Sequence, residues 1–462
     1  MKGYYSSDVN DILLTLLIAL SVLDAITWIL IIVIERGDID KVFAWMVITI
    51  ILPFIGTVGY FVIGQRIWLY RLYRGRKVAG GWSPEDELPE ELSFLNDSKG
   101  TDCTHGNRTE FFSDGRKMFD RMIDDIRGAR RSIRIEFYII LNDELGGPIL
   151  DLLSEKAKEG LDVILLGDGF GCRKLTKESL DVLKGSGVKV ILFNRPGLPY
   201  LNPTMNNRDH RKIVIVDGRV CYCGGFNICS DYIGQGHVGH WRDSAVRMEG
   251  PVAHTAERRF LSTCRYCGYD VRELPSDDTV PAGEDTVVSV YGGPDLRPNP
   301  IMEMHLRLIR EAKESILLQT PYFMNKELIL AIRDASENGV KVMLIIPGVT
   351  DHWFTFWNNY SCSLLLKRTN VDIRLFQNGF LHSKTMIVDD RICIVGSSNF
   401  DDRTAYYNFE TSEVIISEDC LAAMKAIFEE DLKDSIPLVY KDYKGIRPFL
   451  KRVICSVVRP LG

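Results

Sequence analysis

One motif occurs twice in this chain, and that repetition limits the folds open to it. His210, Lys212 and Asp217 recur as His382, Lys384 and Asp389, both sets spaced H-x-K-x-x-x-x-D. Small residues and an asparagine follow each copy, as Gly224-Gly225-Phe226-Asn227 and Gly396-Ser397-Ser398-Asn399. In both copies the asparagine lies 17 positions after the histidine. A single string of this kind arises by chance in a long chain, whereas a matched pair with matched tails marks an internal repeat. Residues 213–216 and 385–388, just after the lysines, are β-branched or apolar, which predicts buried strands. Residues two apart on a strand share a face. His210 and Lys212 are therefore expected to point one way together, as are His382 and Lys384. Asp217 and Asp389 sit at odd parity and are expected to leave that face and organise the motif. Two histidines meeting in one cleft are what phosphoryl transfer through a covalent intermediate requires, so the repeat predicts an enzyme.

The rest of the chain supports two copies of one unit. Strand-like runs near residues 133–140 and 315–322 lead towards the motifs. Residues 158–166 and 337–345 each read as a helix end, a glycine cap and an apolar strand. Strands alternating with helices predict the α/β class, with two similar lobes whose half-sites form one pseudo-twofold active site. The expected boundaries are 106–275 for the first lobe and 276–436 for the second. An acidic, proline-bearing linker at 78–105 precedes them.

Two apolar stretches open the chain. Residues 12–34 carry one charge, Asp24, and residues 42–65 carry none. Each is long enough as a helix for a hydrocarbon core that needs ~20 residues. With only residues 35–41 between them, they are expected to form a transmembrane hairpin within residues 1–77. No small-residue cleavage site follows the first stretch, which argues against a signal peptide. Arg66, Arg71, Arg74, Arg76 and Lys77 crowd the exit of the second, placing that end and the lobes in the cytoplasm. The expected location is the cell (inner) membrane, multi-pass. Asp24 is costly in mid-span, which points either to a functional role or, the reading preferred here, to a polar partner on the neighbouring helix. The tail, 437–462, interleaves basic residues (Lys441, Lys444, Arg447, Lys451, Arg452) with apolar ones (Phe449, Leu450, Val453, Ile454) and suits an anionic lipid surface. A solvated terminal helix broken at Pro448 is the plainer reading.

The paired strings resemble the HKD signature of the phospholipase D superfamily, and their surroundings are similar to those of bacterial cardiolipin synthases. The first half of that likeness lies in Asn207-Arg208-Asp209-His210-Arg211-Lys212, Gly224-Gly225-Phe226-Asn227 and Trp241-Arg242-Asp243. The second lies in Gln319-Thr320-Pro321-Tyr322-Phe323, Gly379-Phe380-Leu381-His382, Asn399-Phe400-Asp401-Asp402-Arg403 and Asn408-Phe409-Glu410. Thr404 and Cys172 depart from it where serine is usual, outside the proposed chemistry. The resemblance implies His210 as nucleophile and His382 as general acid and base. Lys212, Lys384, Asn227 and Asn399 would hold the non-bridging phosphate oxygens, while Asp243 and Glu410 would orient an imidazole. It also implies the reaction: one phosphatidylglycerol gives its phosphatidyl group to another, yielding cardiolipin and glycerol. The alternative is hydrolysis to phosphatidic acid by a phospholipase D, in which water replaces the second lipid.

Charge narrows the partners. A net charge of −6 and a pI near 5.9 argue against a nucleic-acid substrate, and so against a nuclease. Eleven cysteines, odd in number and scattered, do not suit a disulfide scaffold. Cys221, Cys223, Cys264 and Cys267 have a spacing that zinc accepts. The first two, however, fall in a strand leading to Gly224, and the chemistry calls for no metal and no cofactor. Oligomeric state is left open.

Overall fold

The computed structural model describes residues 4–35, 39–64, 87–195, 206–271 and 280–459. Runs of Val, Ile and Leu form the strands. In the first lobe these are β1 (Thr101–Phe112), β2 (Ser132–Phe137), β3 (Asp162–Asp168), β4 (Lys189–Phe193), β5 (Lys212–Val216), β6 (Val220–Gly224), β7 (Trp241–Arg242) and β8 (Ala245–Glu249). The second lobe contributes β9 (Asp285–Gly292), β10 (Ser315–Gln319), β11 (Lys341–Pro347), β12 (Asp372–Phe376), β13 (Phe380–Leu381), β14 (Thr385–Val388), β15 (Ile392–Gly396), β16 (Glu410–Ile416) and β17 (Ser435–Pro437).

Fifteen of them make one sheet, ordered β17-β12-β11-β10-β14-β15-β16-β9-β1-β8-β6-β5-β2-β3-β4. Apart from the extra edge strand β17, the order is a palindrome about the antiparallel β9/β1 pair. The lobes therefore share a sheet rather than each closing its own. Length explains this: the first half of β1 pairs with β9 and its second half with β8. A shared apolar core reinforces the junction, with Val246, Met248 and Phe260 from one lobe meeting Ile387, Val395 and Ile415 from the other. Such a core makes the lobes one folding unit.

The boundary expected at 105/106 falls earlier in the structure. The first lobe begins at Thr101, and residues 87–95 of the expected linker belong to the fold. A short helix, Glu90–Leu95, buries Leu92 and Leu95, with Leu88 ahead of it, in the second lobe's core. The remaining linker residues up to 86, the basic exit at 66–77 and the junction at 275/276 lie outside the described residues.

At the N-terminus, α1 (Tyr4–Ile34) contains one helix long and apolar enough to cross a membrane. The second apolar stretch differs from expectation. It forms α2 (Ile39–Ile51), about 20 Å long, then turns at Pro53 and returns as α3 (Ile55–Gly59). Pro53 has no N–H to continue the helix, and Phe54 adopts φ 64°. The return is tight, since the rings of Trp45 and Tyr60 lie 5.4 Å apart, where a continuous helix would separate these residues by ~22 Å. A Cβ at Gly56 would come within 2.9 Å of the Thr49 Cα, so only glycine allows this approach. Asp24 meets the tip of the fold-back, accepting from Thr57 Oγ1 at 2.6 Å and from the Phe54 N–H at 3.3 Å. At its other end, Lys41 pairs with Glu35 at 3.1 Å and donates to the Tyr407 hydroxyl of the second lobe at 3.5 Å.

The tail forms a helix, Ile446–Val458, against the helix Trp353–Ser363, with Cys455 buried between them. Pro448 lies in its first turn, where no intrahelical N–H bond is lost, and does not break it. Phe449, Leu450, Val453 and Ile454 remain exposed.

Candidate active site

The sheet brings both motifs to the boundary between the lobes. β5 starts at Lys212 and β14 one residue after Lys384, so each histidine sits on the chain entering a central strand. That chain pairs with the opposite lobe. The His210 N–H donates to the Phe409 carbonyl at 2.9 Å, and the His382 N–H donates to the Arg242 carbonyl at 2.7 Å. The next residues in the paired segments are Glu410 and Asp243. Backbone register thus delivers each histidine a carboxylate from the other lobe. His210 Nδ1 lies 3.0 Å from Glu410 Oε2, and His382 Nδ1 lies 2.6 Å from Asp243 Oδ2.

Both carboxylates are fully buried and held in turn. Ser397 donates to Glu410 at 2.5 Å, and Asn408 Nδ2 donates at 3.0 Å. Asp243 accepts from the Ser244 N–H at 2.8 Å. A Cβ at Gly225 would fall 2.0 Å from Asp243 Oδ1, which accounts for the glycine where the second lobe has Ser397. Among the described residues neither imidazole has a hydrogen-bond partner on Nε2. Tyr138 packs edge-on to His210, at 5.0 Å between ring centroids; Tyr232, Trp241 and Tyr322 surround His382.

Lys212 and Lys384 are buried and donate to the carbonyls of their own histidines, on the same side as the imidazoles. Asp217 and Asp389 touch neither histidine. Asp217 accepts from the N–H groups of Arg130, Arg131 and Ser132, and Asp389 from those of Lys313, Glu314 and Ser315. They tie the turn after each motif strand to the start of the neighbouring strand, with φ of 55° and 51°.

The two asparagines part company. Asn399 lines the cavity, and its Oδ1 has no partner among the described residues. Asn227 accepts from the Ile139 N–H at 3.1 Å and donates to the Tyr232 hydroxyl at 2.6 Å. Asn227 thus lies against Tyr232, the ring that packs edge-on to His382. The cavity, about 450 Å³, is lined by His210, Tyr138, Tyr322, Asn399, Arg403 and Asn408, among others. Ser397, Tyr322 and Asn408 stand in the strings that carry the repeat and the resemblance, but the sequence assigned them no role.

Burial dominates the electrostatics. It lowers the His210 pKa, with Glu410 opposing and Lys212 adding to the effect. It takes His382, with help from Lys384, down to about 3. Burial also lowers Lys212 to about 7 and Lys384 to about 8. Burial works against ionisation of Asp243 and Glu410 too, but Lys384 and His382 hold the first below its ordinary range, and His210 and Lys212 hold the second. The free site thus pairs neutral imidazoles with carboxylates, beside lysines that lose their protons near neutrality. Since kcat/KM reports groups of the free enzyme, its alkaline limb is expected at pH 7–8, set by Lys212 and Lys384. The acid limb should fall below the ordinary imidazole value of 6.5. A pH–rate profile flat to pH 10 would contradict this.

Residues 122–246 and 305–432 each match the family described as "Cardiolipin synthase, PLD-like domain". Cardiolipin synthase 2 of Staphylococcus epidermidis is 33% identical, covering 98% of this chain and 99% of that protein. A cardiolipin synthase of Staphylococcus aureus is also 33% identical, with 94% and 93% covered. Among solved structures, phosphatidylserine synthase of Haemophilus influenzae superposes with TM-score 0.61 at 16% identity, over 77% of this chain and 95% of that one. Polyphosphate kinase of Porphyromonas gingivalis gives TM-score 0.52 at 15% identity, over 75% and 52%. At these identities the structural likeness concerns the fold alone.

Proposed function

Because the chain belongs to the cardiolipin synthase family of phospholipase D-like proteins, we propose that it joins two phosphatidylglycerols at this site through a phosphohistidine. It is a phosphatidyltransferase, and one observation carries the mechanism: each imidazole is fixed at Nδ1 by a buried carboxylate of the opposite lobe. Fixing Nδ1 sets the tautomer and directs Nε2 to the shared cleft. The palindromic strand order supports a pseudo-twofold relation between the half-sites.

The donor's phosphodiester lies between the imidazoles, its non-bridging oxygens near Lys212, Lys384 and Asn399. Its negative charge favours protonation of one imidazole. His210 Nε2 attacks phosphorus while His382 gives a proton to the departing glycerol oxygen. The primary hydroxyl of a second phosphatidylglycerol then loses its proton to His382 and attacks the phosphatidyl-histidine. Cardiolipin leaves, and both histidines return to their starting state.

The N-terminal apolar helix associates the chain with a membrane. We read the lobes as cytoplasmic, from the basic residues that follow the second apolar stretch. Exposed Phe449, Leu450, Val453 and Ile454, beside Lys451 and Arg452, suit contact with the anionic leaflet. The fold-back modifies the expected hairpin: α1 crosses, while the second stretch reaches the depth of Asp24 and returns to the lobes.

The test is metal-free incubation of purified protein with labelled phosphatidylglycerol in detergent micelles. Cardiolipin and glycerol in equal amounts are the expected products. Phosphatidic acid alone would make the enzyme a hydrolase. In sealed vesicles, activity towards added micelles should appear only in the inside-out orientation, and the opposite preference would move the lobes outside.

A further inference from the structure

The helix Trp353–Ser363 carries two adjacent asparagines with opposite fates. Asn359 is fully used: its Oδ1 accepts from the Phe323 N–H at 2.8 Å, and its Nδ2 donates to the Pro321 carbonyl at 2.8 Å. It thereby holds the loop that carries Tyr322 beside His382. Asn358 is 1% exposed, lines the same cavity as His210, and has, among the described residues, no hydrogen-bond partner on either amide atom. A buried amide is costly to leave unpaired. A single amide presenting one acceptor and two donors into a cavity of this size matches neighbouring hydroxyls on a small polyol.

We infer that Asn358 is the specificity residue for the glycerol headgroup, binding the glycerol that leaves the donor and the glycerol that the acceptor presents. The inference rests on the phosphatidyl-transfer reading above. Both glycerols occupy one place, because the acceptor hydroxyl attacks phosphorus from the side on which the first glycerol departed. In each half-reaction one P–O bond to glycerol breaks or forms as one P–N bond to His210 forms or breaks, and the proton moves through His382. Hydroxyls that hydrogen-bond to Asn358 hold the attacking oxygen in place, an advantage that water and monohydric alcohols lack. The cavity wall beside it, Phe354 and Thr355, belongs to the same helix, which the C-terminal helix covers from behind.

The experiment is acceptor competition on full-length protein, with a phosphatidyl p-nitrophenol donor and either glycerol or methanol as acceptor. Asn358→Ala is expected to lower the glycerol-over-methanol selectivity at least tenfold. The isosteric Asn358→Asp, which loses both donors, should lower it similarly. Unchanged selectivity, or an equal loss with both acceptors, overturns the assignment. If the parent protein makes no cardiolipin from phosphatidylglycerol, the synthase reading falls. Selective loss of glycerol transfer would still uphold the subsite, and its retention would overturn it. Thermal unfolding of both variants identifies a folding defect, and the isosteric variant then decides.

Discussion

Replacing His210 by alanine is expected to lower cardiolipin formation by at least ~10⁴-fold, the scale on which losing a covalent nucleophile acts. Replacing His382 by alanine should also silence the natural reaction, for a different reason. Glycerol is a poor leaving group and needs a proton, whereas p-nitrophenol departs without one. With a phosphatidyl p-nitrophenol donor, His382→Ala should therefore release one equivalent of nitrophenol in a burst and then stall, because no base remains to activate an acceptor. His210→Ala should give no burst. Alkaline quenching and peptide mass spectrometry would find the phosphatidyl group on His210. A burst in His210→Ala, with label on His382, would reverse the two roles.

The second large effect crosses the lobe boundary. Making a histidine's orienting carboxylate an amide costs on the order of 10⁴-fold in the best-studied triads, through the wrong tautomer. Asp243→Asn and Glu410→Gln should each approach that loss with phosphatidylglycerol. Their signatures with the activated donor should differ. Asp243, in the first lobe, serves His382 of the second, so Asp243→Asn should keep the burst and stall. Glu410, in the second lobe, serves His210 of the first, so Glu410→Gln should abolish the burst. If each variant behaved like loss of the histidine in its own lobe, the pairing across the boundary would have no catalytic meaning.

Much of this site could be read from spacing, because spacing is what strand geometry records. Parity alone separates the lysines, which share a side with the histidines, from Asp217 and Asp389, which are occupied with backbone N–H groups. The carboxylate exchange could not be read that way. His210 and Glu410 are 200 residues apart, and only the pairing of the chain at Asp209 with Phe409 brings them together. Nor does spacing distinguish Asn227 from Asn399. Their offsets agree, and the difference comes from Tyr232, a residue of the first lobe whose hydroxyl takes up Asn227.

Two other differences did have signals. Leu88, Leu92 and Leu95 fall at the i, i+4, i+7 spacing of a helix face, hidden within an acidic, proline-bearing stretch whose composition suggested a linker. Pro53 stood at the middle of the second apolar stretch. Length and hydropathy said span, while the missing N–H and the glycine at 56 said turn. Hydropathy registers only whether a segment prefers lipid, not whether it passes through.

The palindromic order of the sheet bears on descent. A chain of one lobe could build the same array by pairing two copies through β1, each lending the other its carboxylate. In such an ancestor every change would strike both half-sites at once, and nucleophile and acid would have to remain one sequence. Fusing the copies lifts that constraint without disturbing the geometry. Asp can then stand in one half and Glu in the other, with Gly225 facing the first and Ser397 the second. Inheritance as a single gene keeps the two halves together while each drifts towards its own task.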